Sequence, residues 1–339
     1  MLIFLILFSV AAVVQLTYFI SLLTVFKGKT DKREPAGIPV SVIVCAHDEE
    51  ENLRTLIPQL LTQEYPDFEV IVVNDRSNDD TYDFLREESL RNPKLKMVNV
   101  KATPDHVNSK KFALTLGIRA AAHEWILHTD ADCRPVNRHW ISSMTQNMNA
   151  DSQFVLGFSP YREMKGFLNL FIRYDTIVTA LHYLSFAAWK VPYMGVGRNL
   201  AYRKSLFLEK KGFNHFLHIT GGDDDLFVNQ HATGKNTKIE YSPASVMYSL
   251  PETTWSSFFY QKVRHLSVGK LYRSKHKFLL GLLAVSWALT LFAGLPLLTV
   301  FPYYYIIPSA ILLRWVFIIL SFRKFIQVSG LSFQLWALP

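Results

Sequence analysis

Hydrophobic and polar positions divide the chain into long uncharged stretches at either end and a central region of short apolar runs punctuated by polar clusters. Leu2 to Phe26 carries no charge, and at ~1.5 Å per residue a helix over it more than covers a ~30 Å hydrocarbon core. A secretory signal is the rival reading. The run has no basic residue before it and exceeds the usual length of such signals, so 1–27 is predicted to be a transmembrane anchor. Phe278 to Leu313 is also uncharged, broken by Pro296, Pro302 and Pro308 and marked by tyrosines at 303–305. This predicts a helical hairpin with spans near 278–300 and 304–322, inside a basic juxtamembrane and hairpin segment, 271–324. An apolar tail, 325–339, follows, and the sequence leaves its role open.

The central region has a different rhythm. Val40 to Cys45 is β-branched and stops at the polar cluster His47 to Glu51, after which Leu53, Leu56, Leu60 and Leu61 recur at helical spacing. Phe68 to Val73 repeats the pattern, stopping at Asn74 to Thr81 before a second amphipathic helix. Leu95 to Val100 predicts a third strand, Lys110 to Ala122 a third helix, and Glu124 to Thr129 a fourth strand. Strands alternating with helices predict an α/β fold, a mostly parallel sheet with helices on both faces, in a domain spanning 38–270. Arg162 to Trp189 is a long amphipathic stretch, suited to a core or to the surface of a bilayer. A charged linker, 28–37, joins anchor and domain.

Charge sets the orientation. The formal net charge is +8, and much of the excess flanks the apolar segments: Lys27, Lys29, Lys32 and Arg33, then Lys270, Arg273, Lys275 and Lys277, then Arg323 and Lys324. Such flanks predict a multi-pass protein of the inner (cytoplasmic) membrane with its domain in the cytoplasm, and they account for the basicity without nucleic acid. Cys45 and Cys133 imply no disulfide framework and are read as core residues. Arg314 is the one charge within the last apolar run, a position that demands snorkelling or a partner.

In a parallel sheet the carboxyl ends of the strands share one edge, where ligands of such sheets bind. That edge collects His47 to Glu51, Asp75, and the pair Asp130 and Asp132. Two carboxylates one residue apart at a strand end can converge on one hard divalent cation. A solvated acidic turn is the alternative for the pair taken alone.

The segments Val40-Ser-Val-Ile-Val-Cys-Ala-His-Asp-Glu-Glu50, Val70-Ile-Val-Val-Asn-Asp-Arg-Ser-Asn-Asp80 and His128-Thr-Asp-Ala-Asp132 together resemble the signatures of the family-two glycosyltransferases of GT-A fold, over about residues 38–270. The resemblance implies that Ala46, His47, Glu49 and Asp75 meet the base and ribose of a nucleotide-sugar, although the common pattern has tyrosine and asparagine where this chain has Ala46-His47-Asp48. It places Lys110 at a lysine that meets the donor phosphates, with Lys111 as competitor. It implies that Asp130 and Asp132 hold manganese or magnesium on the diphosphate. Gly221-Gly-Asp-Asp-Asp-Leu226 resembles the motif carrying the general base, in a register that leaves both Asp223 and Asp224 open. Gln261-Lys-Val-Arg-His265 resembles the family's Gln-x-x-Arg-Trp, which assigns Gln261, Arg264 and His265 to the substrate and puts histidine where polymerising members have tryptophan. Gly195-Val-Gly-Arg-Asn-Leu-Ala-Tyr-Arg203 resembles a family segment that approaches the sugar. The implied activity is inverting transfer of a hexosyl or N-acetylhexosaminyl group, most simply from a UDP-sugar, to a lipid-linked or membrane-proximal hydroxyl. The alternatives are a metal-dependent nucleotidyl- or phosphotransferase and a catalytically degenerate membrane scaffold.

Overall fold

The computed structural model describes residues 1–28, 37–300 and 303–333. The linker basics Lys29, Lys32 and Arg33, the turn residue Pro302 and the far end of the tail lie outside them, as does the side chain of Tyr303. In chain order the elements are α1 (Leu2–Val25), β1 (Val40–Ala46), α2 (Glu50–Leu61), β2 (Phe68–Asp75), α3 (Thr81–Arg91), β3 (Leu95–Val100), α4 (Ser109–Ala120) and β4 (Trp125–Asp130). Then come β5 (Cys133–Pro135), α5 (Trp140–Thr145), β6 (Phe154–Leu156), α6 (Phe167–Ala188), β7 (Leu200–Arg203), α7 (Lys204–Glu209), α8 (Asp225–His231), β8 (Thr237–Ile239), β9 (Met247–Ser249) and α9 (Trp255–Val268). The last helices are α10 (Ser274–Leu297) and α11 (Tyr303–Ser329).

The chain divides into two compact units, the domain up to Leu271 and a helical unit of α1 with everything from Tyr272 on. The domain holds a seven-stranded sheet in the order β3-β2-β1-β4-β7-β6-β8. Strands β1 to β4 are mutually parallel, as the strand–helix alternation predicts. Beyond β4 the sheet is mixed, because β7 runs antiparallel to both β4 and β6. Both faces of β1 are apolar because both are covered. Val42 and Val44 belong to the core that contains Leu53, Leu56, Ile57 and Leu60 of α2, while Ile43 on the other face meets Gly117 of α4. Cys133 is fully buried; Cys45 is half-buried, at the sheet edge rather than in the core.

Helices α1, α10 and α11 are long and apolar enough to cross a membrane. Helix α11 continues through Arg323 and Lys324 to Ser329, with Pro308 inside it, beyond the first turn, where the missing N–H removes one intrahelical hydrogen bond. Polar groups inside this unit find one another: Gln15 Nε2 donates to Ser286 Oγ at 3.3 Å and Ser321 Oγ to the Phe19 carbonyl at 3.0 Å. Arg314 is 3 % exposed, its guanidinium 3.8 Å from the centre of the Trp287 ring. It is buried against the neighbouring helix and does not snorkel.

Candidate active site

The parallel half of the sheet delivers its carboxylates at one edge. Cys45 lies opposite both Val73 and Asp130, so the loops after β1, β2 and β4 leave the sheet side by side. The first two loops are tied to each other. His47 Nδ1 donates to the Asp75 carbonyl oxygen at 2.6 Å, and the Asn78 N–H to Asp48 Oδ1 at 2.6 Å. The Asp48 N–H donates to Ser77 Oγ and the Glu49 N–H to Thr81 Oγ1. Asp48 and Arg76 both take the left-handed backbone conformation, with φ of 55° and 56°, which is unfavourable for a side chain as long as arginine's and is held by these cross-bonds. Arg76 turns back to pair with Asp75 at 2.8 Å. Glu49 accepts from Asn52 Nδ2 at 2.7 Å, and burial followed by the fields of Asp132 and Asp130 pushes its carboxyl up. Ala46 is buried and offers backbone alone.

The two adjacent lysines go to different places. Lys110 Nζ lies 3.1 Å from Asp130 Oδ1 and 3.5 Å from Asp223 Oδ2, joining the end of β4 to the turn before α8. Lys111 is fully buried, and its ammonium donates to the carbonyls of Ile219 and Gly221, fixing the approach to that turn. Gly221 and Gly222 both have φ of +80°, and a β-carbon on Gly222 would come within 2.7 Å of Leu226. This turn therefore requires glycine.

The three consecutive aspartates are separated by geometry. Asp223 faces Lys110; burial raises its carboxyl, but Lys110 and its own backbone N–H outweigh that and hold it below its ordinary value. Asp224 accepts the Gly197 N–H at 2.6 Å on one oxygen and the Asp225 N–H at 2.7 Å on the other, as the cap of α8. Burial, and then the charge of Asp223, push Asp224 up to about 6. A β-carbon on Gly197 would meet Asp224 Oδ2 at 3.2 Å. Asp132 accepts from Ser249 Oγ at 2.8 Å, and burial and then Asp130 raise its carboxyl.

Helix α9 carries the remaining predicted residues. Gln261 accepts from the Tyr161 hydroxyl and donates to Glu252, both at 3.2 Å. Desolvation, then the fields of Arg264, Lys262, Arg198 and Lys110, push the His265 imidazole down to about 4, although much of the residue is exposed. Arg264 is exposed.

The segment before β7, likened in sequence to one that approaches the sugar, also holds residues to which sequence reasoning assigns no role of their own. Asn199 is fully buried and accepts from Trp140 Nε1 at 3.0 Å while donating to the carbonyls of Phe158 and Ser245 at 2.8 Å each. Between it and Gly197 stands Arg198, its guanidinium 4.3 Å from the centre of the Tyr161 ring. His128, two residues before Asp130, packs on Tyr202 with ring centres 4.8 Å apart and planes tilted by 31°, and burial pushes it down to about 4. The signal for Arg198 lay in the stretch Gly195 to Arg203, where it stands between the glycine and the asparagine that carry the resemblance.

Comparison with known proteins agrees with this architecture. The model of Glycosyl transferase family group 2 matches residues 125–324, and that of Glycosyl transferase family 2 matches residues 41–207. The chain belongs to the family-2 glycosyltransferases. It is 27 % identical over 236 residues to a probable glycosyltransferase YdaM of Bacillus subtilis, covering 66 % of this chain and 54 % of that protein. It is 25 % identical over 271 residues to a 4,4'-diaponeurosporenoate glycosyltransferase of Staphylococcus haemolyticus, covering 76 % of this chain and 69 % of the relative. The chain spans about half the length of the first of these. Among solved structures it resembles a mannosyltransferase of Pyrobaculum calidifontis in complex with GDP-Man and Mn2+, with a TM-score of 0.61, 18 % identity, and coverage of 97 % of this chain and 96 % of that one.

Proposed function

We propose that the protein is an inverting glycosyltransferase that moves a hexosyl or N-acetylhexosaminyl group from a nucleotide-diphospho-sugar to a lipid-linked or membrane-proximal hydroxyl at the cytoplasmic face. The observation that carries this reading is the ammonium of Lys110 between Asp130 and Asp223, which joins the end of β4 to the acidic turn before α8. The strand-end loops with His47, Glu49 and Asp75 would take the base and ribose, and Lys110 a donor phosphate.

A divalent ion fits Asp130 and Asp132. No group of three or more His, Cys, Asp or Glu suited to a metal occurs among the described residues, so on this reading substrate phosphates and water would have to complete the coordination. The mannosyltransferase of similar fold was solved with GDP-Man and Mn2+, which supports the use of a divalent ion. When bound, the ion supplies positive charge against the departing diphosphate.

Asp223 is the better base. Both oxygens of Asp224 already accept backbone N–H groups, whereas Asp223 faces the cleft ionised beside Lys110. The acceptor oxygen bonds to the anomeric carbon, the bond from that carbon to the diphosphate oxygen breaks, and the hydroxyl proton passes to Asp223. Gln261, Arg264 and His265 would border the acceptor. The base and sugar of the donor are read as UDP-linked from the family resemblance, with GDP-mannose as the competitor named by the solved relative.

Thermal-shift measurements with UDP- and GDP-sugars, with and without manganese, test the reading, since ligand binding to the folded state raises the midpoint by mass action. A manganese-dependent rise with at least one nucleotide-sugar is expected. Stabilisation by nucleoside triphosphates alone, accompanied by their hydrolysis, would favour the nucleotidyl- or phosphotransferase alternative.

A further inference from the structure

Arg198 has no role in the scheme above, yet its position is built. Gly197 on one side is fastened to Asp224, and Asn199 on the other is fastened to Trp140, Phe158 and Ser245. The guanidinium lies over Tyr161, whose hydroxyl reaches Gln261. Stacking on a ring fixes the plane of a guanidinium and leaves its edge free to donate. Nη1 is buried and has no hydrogen-bond partner among the described residues. A buried, unused donor on a permanent charge is costly, and in a native site it calls for a ligand.

The nature of that ligand follows from charge. The field of Arg198 falls on Asp132 and Asp130, the carboxylates suited to a divalent ion. A metal ion and a guanidinium serving the same carboxylate pair repel each other. An anion accepted by both removes the conflict, and a phosphate oxygen is the anion the proposed donor carries.

We propose that Arg198 takes an oxygen of the donor diphosphate, so that phosphate bridges Arg198 and the ion held by Asp130 and Asp132. The assignment rests on the glycosyltransferase reading above. Without nucleotide, Arg198 offsets the charge of Asp132 and opposes metal entry; with nucleotide, it favours it. Metal and nucleoside diphosphate therefore bind as a mutually dependent pair.

The test measures manganese binding to the full chain by the loss of the free-ion paramagnetic resonance signal, with and without UDP or GDP, in the parent, Arg198→Met and Arg198→Lys. In Arg198→Met, manganese alone should bind as well as or better than in the parent, while affinity for the diphosphate in saturating manganese should fall ~10- to 100-fold, the worth of a charge-assisted hydrogen bond. Arg198→Lys should recover part of that loss, and binding of uridine or guanosine should be unchanged. A structural role would weaken metal and nucleotide together and lower the melting midpoint, and that outcome overturns the proposal. Parent-like diphosphate affinity in Arg198→Met also overturns it. Failure of the parent itself to bind either diphosphate would instead reject the glycosyltransferase reading.

Discussion

The two halves of the sheet build their shares of the cleft by different means. In the parallel half, Asp75 and Asp130 end their strands, opposite Val100 of β3 and Cys45 of β1 in the ladders, and Asp132 stands two residues past the end of β4. In the antiparallel half, Asp223, Asp224 and Arg198 sit on irregular backbone. They are held by individual bonds: Lys111 to two carbonyls, Gly197 to Asp224, Asn199 to three partners. Regular structure positions groups cheaply but only in register; irregular structure can aim a base or a guanidinium anywhere, at the cost of a brace for each. Substitutions should therefore act on ligand binding in the first half and on geometry and stability in the second.

The contrast is sharpest for the metal. The double substitution Asp130→Ala, Asp132→Ala should reduce manganese-stimulated transfer ~1000-fold or more and abolish manganese-dependent nucleotide binding, with the melting midpoint little changed. Retained manganese stimulation would remove the parallel half from the chemistry. Next in size, Asp223→Asn should lower transfer ~100-fold or more while donor affinity stays nearly intact. Asp224→Asn should instead act through the Gly197 brace, with a smaller loss of rate and a lowered midpoint. Equal rate losses in both, without destabilisation, would erase the distinction between base and brace.

The pH profile separates the same two residues. A base works ionised, so rate falls as pH drops through its pKa. Lys110 holds Asp223 below its ordinary value, so the acid limb of transfer should lie below the ordinary carboxylate range. An acid limb near pH 6 that disappears in Asp224→Asn would transfer the role to Asp224, which burial and then the charge of Asp223 push up to about 6. The smallest effect on chemistry is expected from Asn199→Ala. It strands the Trp140 N–H and two carbonyls and should cost ~3 kcal/mol of stability by denaturant titration, with residual activity at low temperature. Unchanged stability would show that the irregular half does not depend on its braces.

The same contrast explains what the sequence could reveal. The β-branched runs of β1 and β2 and the leucine spacing of α2 carry their structure locally, and a parallel sheet then converts three distant acidic clusters into one edge. β6, β8 and β9 have three residues each, too short for any periodicity, and their pairing depends on partners far along the chain. The choice between Asp223 and Asp224 could not be made from spacing because it depends on a backbone N–H at Gly197. Lys110 and Lys111 are indistinguishable as neighbours in sequence, and the helix start turns one outward and one inward. Arg198 stands at an unspecified position of the segment Gly195 to Arg203, so the resemblance that pointed this segment at the sugar assigned the arginine no ligand.

Arg314 against Trp287 also bears on how the chain is made. An arginine near the middle of an apolar helix raises its insertion cost by ~2.5–3.5 kcal/mol when that helix meets a bilayer by itself. Here the guanidinium is covered by an indole of the preceding helix. A ribosome delivers α10 before α11, so the shelter is present when the arginine arrives. The last helix is thus a poor passenger alone and a good one in company, and the order of synthesis becomes part of the information that lets this unit form.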